Sequence, residues 1–296
     1  MPSTAGWLAN RWVFAGGVRV PYWEFGHGPA LVYIPGLEDG LLSRRGMAWA
    51  LRWVARWLAP GFRVVALGRR EVVPPNFPVR QMAADAVAAI RELGVRPVAV
   101  VGLSAGGLVV RWMAADFPQA CRAVVLLSAP VDGRSSPEFV RFFDALARTA
   151  RTGDWAGALE QALSVYLTPP LRHRWRLGLA LLRRLGRPDS TERLLRHLQA
   201  FREALGDRVG RLALPVLAVG GGLDPMVPMR IGGPAPGEAV RPGGLRVRRQ
   251  VWLAGAHSAV LQHRHVVARE LARFLRETAR ADPGPMAAAR GMRAGR

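Results

Sequence analysis

The sequence predicts an α/β protein with a mostly parallel, twisted sheet, helices on both of its faces, and a helical insertion. Three observations carry that expectation. Short strands alternate with helices, and each strand is apolar throughout, the pattern of a parallel sheet buried on both sides. The segment Gly102-Leu103-Ser104-Ala105-Gly106 stands between such a strand and such a helix. From about residue 132 to 211 the alternation stops and the chain reads as helix alone.

The elements follow in order. Arg11–Phe14 and Arg19–Phe25 read as a strand pair turned by Gly16-Gly17. His27, in the break that follows, reads as a surface turn residue. Ala30–Ile34 is a short buried strand, and Pro35–Gly40 is the loop it feeds. Residues 44–58 form a helix in which Trp49, Trp53 and Trp57 recur every four residues, read as a core-packing stripe. Phe62–Leu67 is the next strand, and Gly68–Pro78 a loop rich in Pro and Arg. Residues 79–93 are helical. Val98–Val101 leads into the glycine-flanked serine, and Leu108–Ala115 is the helix after it. Ala123–Ser128 is another buried strand.

The insertion divides into helical runs over Glu138–Ala150, Trp155–Tyr166, Leu171–Leu185 and Thr191–Leu205. At about 80 residues it is too long for a loop and reads as a cap subdomain. His173 and His197 lie in it among arginines and are expected to be solvated. Strands resume at Pro215–Gly220 and Leu245–Leu253, around a Gly/Pro-rich loop at 232–244, and a helix covers 259–277. The division is a core domain of residues 1–131 and 212–280, a cap of 132–211, and a disordered basic tail of 281–296.

The formal net charge is +21. Every basic side chain is Arg, and the arginines are scattered through the chain. A GC-rich coding bias explains this more simply than a nucleic-acid interface, so no specific nucleic-acid partner is expected. The single cysteine, Cys121, excludes an internal disulfide and fits a reducing compartment. It opens an apolar run and reads as packing. No signal peptide and no apolar stretch of membrane-spanning length is evident, which makes the cytoplasm the expected location.

The chemistry converges on Ser104. A serine on a sharp strand-to-helix turn exposes its hydroxyl, and the backbone N–H of Ala105 points to where an oxyanion would form. An inert turn serine is the plainer reading; the flanking strand and helix favour a nucleophile. Acyl transfer then needs a base, and an acid that orients the base. His257 follows the last strand, on the sheet edge that carries Ser104; His263 and His265 fall in the next helix and fit less well. Asp224 follows the penultimate strand, with Asp132 as its rival and an ordinary Asp-Pro turn as the plain reading. A second oxyanion donor is expected from Leu37 N–H, which Gly36 brings close. Two backbone donors stabilise a tetrahedral intermediate without metal, so neither metal nor cofactor is expected.

On these residues the chain resembles the α/β-hydrolase-fold serine hydrolases over roughly residues 15–277. The resemblance extends to Ala30–Gly36, Ala115–Pro118, Val124–Pro130, Gly222–Pro228 and Gly255–His257. It implies a hydrolase of ester, thioester, amide or, less often, C–C bonds, carboxylesterase-like and acting on a small acyl substrate. Two departures stand out: Pro35-Gly36 replaces the usual His-Gly, and Gly68-Arg69-Arg70-Glu71 replaces the common Gly-x-Gly-x-Ser. A non-catalytic ligand- or partner-binding member of the same fold is the alternative.

Overall fold

The computed structural model describes residues 11–58, 60–130, 136–166, 188–207, 209, 212–227 and 247–281. Its centre is an eight-stranded sheet in the order β1-β2-β4-β3-β5-β6-β7-β8. β1 (Arg11–Ala15) and β2 (Val18–Gly26) form the expected hairpin, and β2 runs antiparallel to β4 (Arg63–Leu67). All later pairs are parallel: β3 (Ala30–Ile34) with β4 and β5 (Ala99–Leu103), then β6 (Val124–Leu127), β7 (Val216–Gly221) and β8 (Val247–Leu253).

Successive strand residues point to opposite faces of a sheet, and here both faces are apolar. Val32, Val100, Val124 and Leu126 join the core on one side. Leu31, Tyr33, Val101, Val125 and Leu127 join the core on the other. Helices α3 (Val79–Glu92) and α4 (Ala105–Asp116) cover the first face through Met82, Ile90, Leu108 and Met113. Helices α2 (Arg44–Leu58) and α8 (Arg264–Ala281) cover the second through Leu51, Leu58, Leu271 and Phe274. A single kinked turn, α1 (Glu38–Leu41), precedes α2.

The tryptophan stripe of α2 departs from expectation. Trp57 is buried, Trp53 half-buried, and Trp49 is 43% exposed. The buried face is set instead by Met47, Leu51, Val54 and Leu58. A four-residue step overshoots one helical turn by about 40°, so three such residues spiral from solvent into the core.

After β6 come α5 (Pro137–Arg151), α6 (Trp155–Tyr166) and α7 (Thr191–Ala204). Ser136 and Ser190 cap α5 and α7 by accepting from the N–H of Phe139 and Arg193. The run Leu171–Leu185, His173, Asp132 and the loop 232–244 lie outside the described residues. The last helix continues to Ala281, four residues beyond the expected end; residues 282–296 also lie outside. His27 is exposed as expected, and burial pushes the Cys121 thiol up to about 12, in keeping with packing. No helix among the described residues is long and apolar enough to cross a membrane.

Candidate active site

β5 ends at Leu103, and α4 begins at Ala105, so Ser104 alone makes the turn. Its backbone sits at φ 50°, ψ −120°, a region that non-glycine residues rarely enter. Close packing holds it there. A Cβ on Gly106 would stand 2.2 Å from the Ile34 carbonyl oxygen, and one on Gly102 2.7 Å from the Gly106 carbonyl oxygen. Only glycine lets the start of α4 approach β3 and β5 this closely.

The parallel sheet brings the ends of β5, β7 and β8 to one edge. His257 Nε2 lies 2.8 Å from Ser104 Oγ. His257 Nδ1 lies 2.7 Å from Asp224 Oδ2. The other carboxylate oxygen of Asp224 accepts the N–H of Met226 at 3.0 Å and of Val227 at 3.2 Å. The β7 and β8 loops are tied directly: Leu223 N–H donates to the Gly255 carbonyl, and Gly222 N–H to the Leu253 carbonyl. All three side chains are buried. His263 instead meets the Ala254 carbonyl, and His265 is exposed.

Leu37 and Ala105 flank Ser104. A Cβ on Gly36 would lie 3.3 Å from Ser104 Cβ, which places the Pro35-Gly36-Leu37 backbone against the serine. Glu38 Oε2 is 2.8 Å from the same point. Tyr33 donates to Glu38 Oε1 at 3.3 Å, and burial holds the Glu38 carboxyl above the usual carboxylate range.

Several residues at the site were not legible in the sequence. Ser128, at the end of β6, donates its hydroxyl to the His257 carbonyl at 2.8 Å and fixes the histidine loop from below. Phe139 of α5 presents its ring to His257 edge-on, centroids 6.4 Å apart. Ser136 Oγ donates to the Met226 carbonyl beside Asp224. Among the aromatics of the insertion, Phe142 packs on Phe143, and Phe143 on Phe201 of α7; Trp155 is half-buried, and Trp175 and the Tyr166 side chain lie outside the described residues.

The loop that lacked Gly-x-Gly-x-Ser holds a buried ionic cluster. Arg69 donates from Nη1 to the Pro35 carbonyl at 3.2 Å, and from Nη2 to the carbonyls of Gly36 (2.7 Å) and Asp39. Asp39 accepts the Arg69 backbone N–H at 2.6 Å and Arg193 Nη2 of α7 at 3.2 Å. Burial alone would raise the Asp39 carboxyl. The charges of Arg193 and Arg69 outweigh it and hold the group well below the usual carboxylate range. His197 corrects the expectation of a solvated side chain: it is 1% exposed, and neither ring nitrogen has a hydrogen-bond partner among the described residues. Its neighbours Arg193 and Arg69 sit on the helix and loop that enclose it, so burial and like charge together depress its pKa well below 6.5.

A doubly wound sheet with a serine, a histidine and an aspartate meeting beyond its strand ends defines the class. The sequence profile of the alpha/beta hydrolase fold matches residues 29–263, and the chain belongs to that family. No curated protein matches the sequence. Solved structures do. A hydrolase from Pseudomonas aeruginosa is 19% identical with a TM-score of 0.68, covering 90% of this chain and 98% of its own. An enol-lactonase from Burkholderia xenovorans is 21% identical with a TM-score of 0.65, covering 90% and 99%. An esterase from Exiguobacterium antarcticum is 16% identical with a TM-score of 0.66, covering 90% and 100%. At such identities the likeness is one of fold.

Proposed function

We propose that the chain is a serine hydrolase that cleaves a small acyl substrate, an ester or thioester, with Ser104 as nucleophile, His257 as base and Asp224 as the acid that orients it. One observation carries this reading: the continuous hydrogen-bonded line from Ser104 Oγ through both ring nitrogens of His257 to Asp224 Oδ2. The strained Ser104 backbone supports it, because a conformation that costs on the order of 1–3 kcal/mol persists where it serves a function. The esterase and enol-lactonase among the structural neighbours are consistent with it.

Ser104 Oγ attacks the substrate carbonyl carbon, and its proton passes to His257 Nε2. Asp224 keeps the Nδ1–H in place and stabilises the imidazolium. The negative charge on the carbonyl oxygen falls to the N–H groups of Leu37 and Ala105. The intermediate collapses, the C–O or C–S bond breaks, and His257 returns the proton to the leaving group. Water then cleaves the acyl-enzyme by the same steps in reverse order. No metal or cofactor enters this scheme.

In this reading residues 132–211 form a cap. Phe139 against His257, Ser136 against Met226, and Arg193 against Asp39 support it, since each joins the insertion to a loop of the site. A largely apolar wall of this kind suits a compact acyl group. The lone Cys121 accords with a reducing compartment such as the cytoplasm.

A fluorophosphonate probe and a panel of p-nitrophenyl esters of graded chain length test the reading. Wild type should label once and hydrolyse short esters; Ser104→Ala should fold normally, fail to label, and lose kcat by several orders of magnitude. An unlabelled, inactive wild type would instead favour a non-catalytic binding protein.

A further inference from the structure

The buried arginine beside the oxyanion loop has a role that the serine, histidine and aspartate leave open. The Gly36–Leu37 peptide is planar and, like every peptide bond described, not cis. Its two polar ends therefore point in opposite directions: fixing the Gly36 carbonyl fixes the direction of the Leu37 N–H. Arg69 Nη2 holds that carbonyl at 2.7 Å, and Nη1 holds the preceding Pro35 carbonyl at 3.2 Å. One rigid, planar guanidinium thus sets two successive peptides of the loop. A lysine ammonium carries donors on one nitrogen only and lacks the planar fork that fixes both directions.

We propose that Arg69 is a positioning residue for the oxyanion hole, orienting and polarising the Gly36–Leu37 peptide so that its N–H is a stronger, fixed donor to the developing oxyanion. The inference rests on the serine-hydrolase reading and on Leu37 as donor. Electrostatics supplies the second half of the effect. A charge-assisted bond at the carbonyl draws electron density along the amide and strengthens donation at its far end, and it does so in a dry environment where such coupling is largest. Arg69 is 6% exposed.

The guanidinium is itself held from three sides. Asp39 accepts its backbone N–H and pairs with its side chain. Phe201 of α7 lies under its plane, 5.0 Å from ring centroid to the guanidinium carbon. Arg193 of α7 donates to the carbonyls of Arg69 at 3.0 Å and Arg70 at 3.1 Å while neutralising Asp39. The oxyanion loop is therefore braced by the insertion, through Arg69, and not by its own sequence alone.

The test uses the full chain and a trifluoromethyl ketone. Ser104 Oγ adds to the ketone carbon, its proton passes to His257, and the hemiketal oxygen takes the place of the oxyanion. A ¹⁹F NMR titration then reads the hemiketal pKa, which falls as the donors strengthen. Arg69→Met should lower kcat by about 10- to 100-fold, less than or comparable to losing a donor outright, with little change in KM. It should raise the hemiketal pKa by about one to two units, since tenfold corresponds to one unit. Arg69→Lys should fall between. A purely structural arginine would lower Tm and leave the hemiketal pKa of the folded protein unmoved. A folded Arg69→Met with wild-type kcat and wild-type hemiketal pKa overturns the proposal; should that variant fail to fold, the same result in Arg69→Lys overturns it. Failure of the underlying hydrolase reading shows elsewhere, as a wild type that forms no hemiketal at all.

Discussion

Asp224 holds His257 with one carboxylate oxygen and its own loop with the other. Oδ2 lies 2.7 Å from His257 Nδ1, while Oδ1 accepts two backbone N–H groups, from Met226 and Val227. The carboxylate cannot rotate without breaking three contacts. Asp224→Asn keeps the shape but puts an N–H donor or a weaker acceptor against Nδ1. Its kcat should fall by about 10⁴ with the fold intact. Asp132→Asn should be mild by comparison. Parallel steady-state kinetics on the two variants decide between the aspartates; a crippled Asp132→Asn beside an active Asp224→Asn reverses the assignment.

Ser128 acts on the same histidine from the other side. Its hydroxyl donates to the buried carbonyl of His257, and Ser128→Ala removes that bond at a cost of about 1 kcal/mol. Chemical denaturation should show the loss. A looser histidine should also lower kcat more than it changes KM. Unchanged stability and unchanged kcat would mean that water or a shifted side chain replaces the bond.

Phe139 couples the insertion to His257. Its ring is fully buried and meets His257 edge-on. Phe139→Leu shortens the apolar wall while staying apolar, at a cost of roughly 1–2 kcal/mol. The ester chain-length optimum should shift, whereas labelling of Ser104 by a small fluorophosphonate should proceed at close to the wild-type rate. An unmoved substrate profile would place the acyl pocket away from α5.

His197 predicts a pH dependence of stability. Its folded pKa lies well below the ordinary 6.5, because burial and the charges of Arg69 and Arg193 oppose a proton. Below 6.5 the unfolded chain takes up a proton that the folded one refuses. Stability is therefore whole above pH 6.5 and is lost as pH falls, by up to about 1.4 kcal/mol per pH unit. Asp39 has its ordinary value at 3.8 and a depressed folded value, so its own loss begins only below that pH. Denaturant midpoints between pH 7 and 4 should fall steeply in wild type and less steeply in His197→Phe. Parallel slopes in the two proteins would show that His197 accepts a proton while folded.

The sequence alone determined the sheet, the strand-to-helix turn at Ser104 and the three polar residues beyond its strand ends. Ser104 was legible because its requirements are local: an apolar strand before it, a helix after it, and glycines on either side. His257 and Asp224 were legible because a parallel sheet delivers every strand end to one edge, whatever lies between. Tertiary structure decided what pairs with what. In the sequence Arg69 reads as a loop arginine and His197 as a solvated histidine, and Arg193 is one of the arginines around it, since nothing in their neighbours signals burial. They meet because α7 folds back over the loop after β4, bringing Arg193 against Asp39 from 154 positions away. Likewise, the regular spacing of Trp49 and Trp57 said nothing of which one faces the core; the angle at which α2 lies on the sheet set that. Local patterns report what a segment needs. Long-range contacts depend on how the whole chain packs, and a buried charge becomes affordable only once its distant partner has arrived.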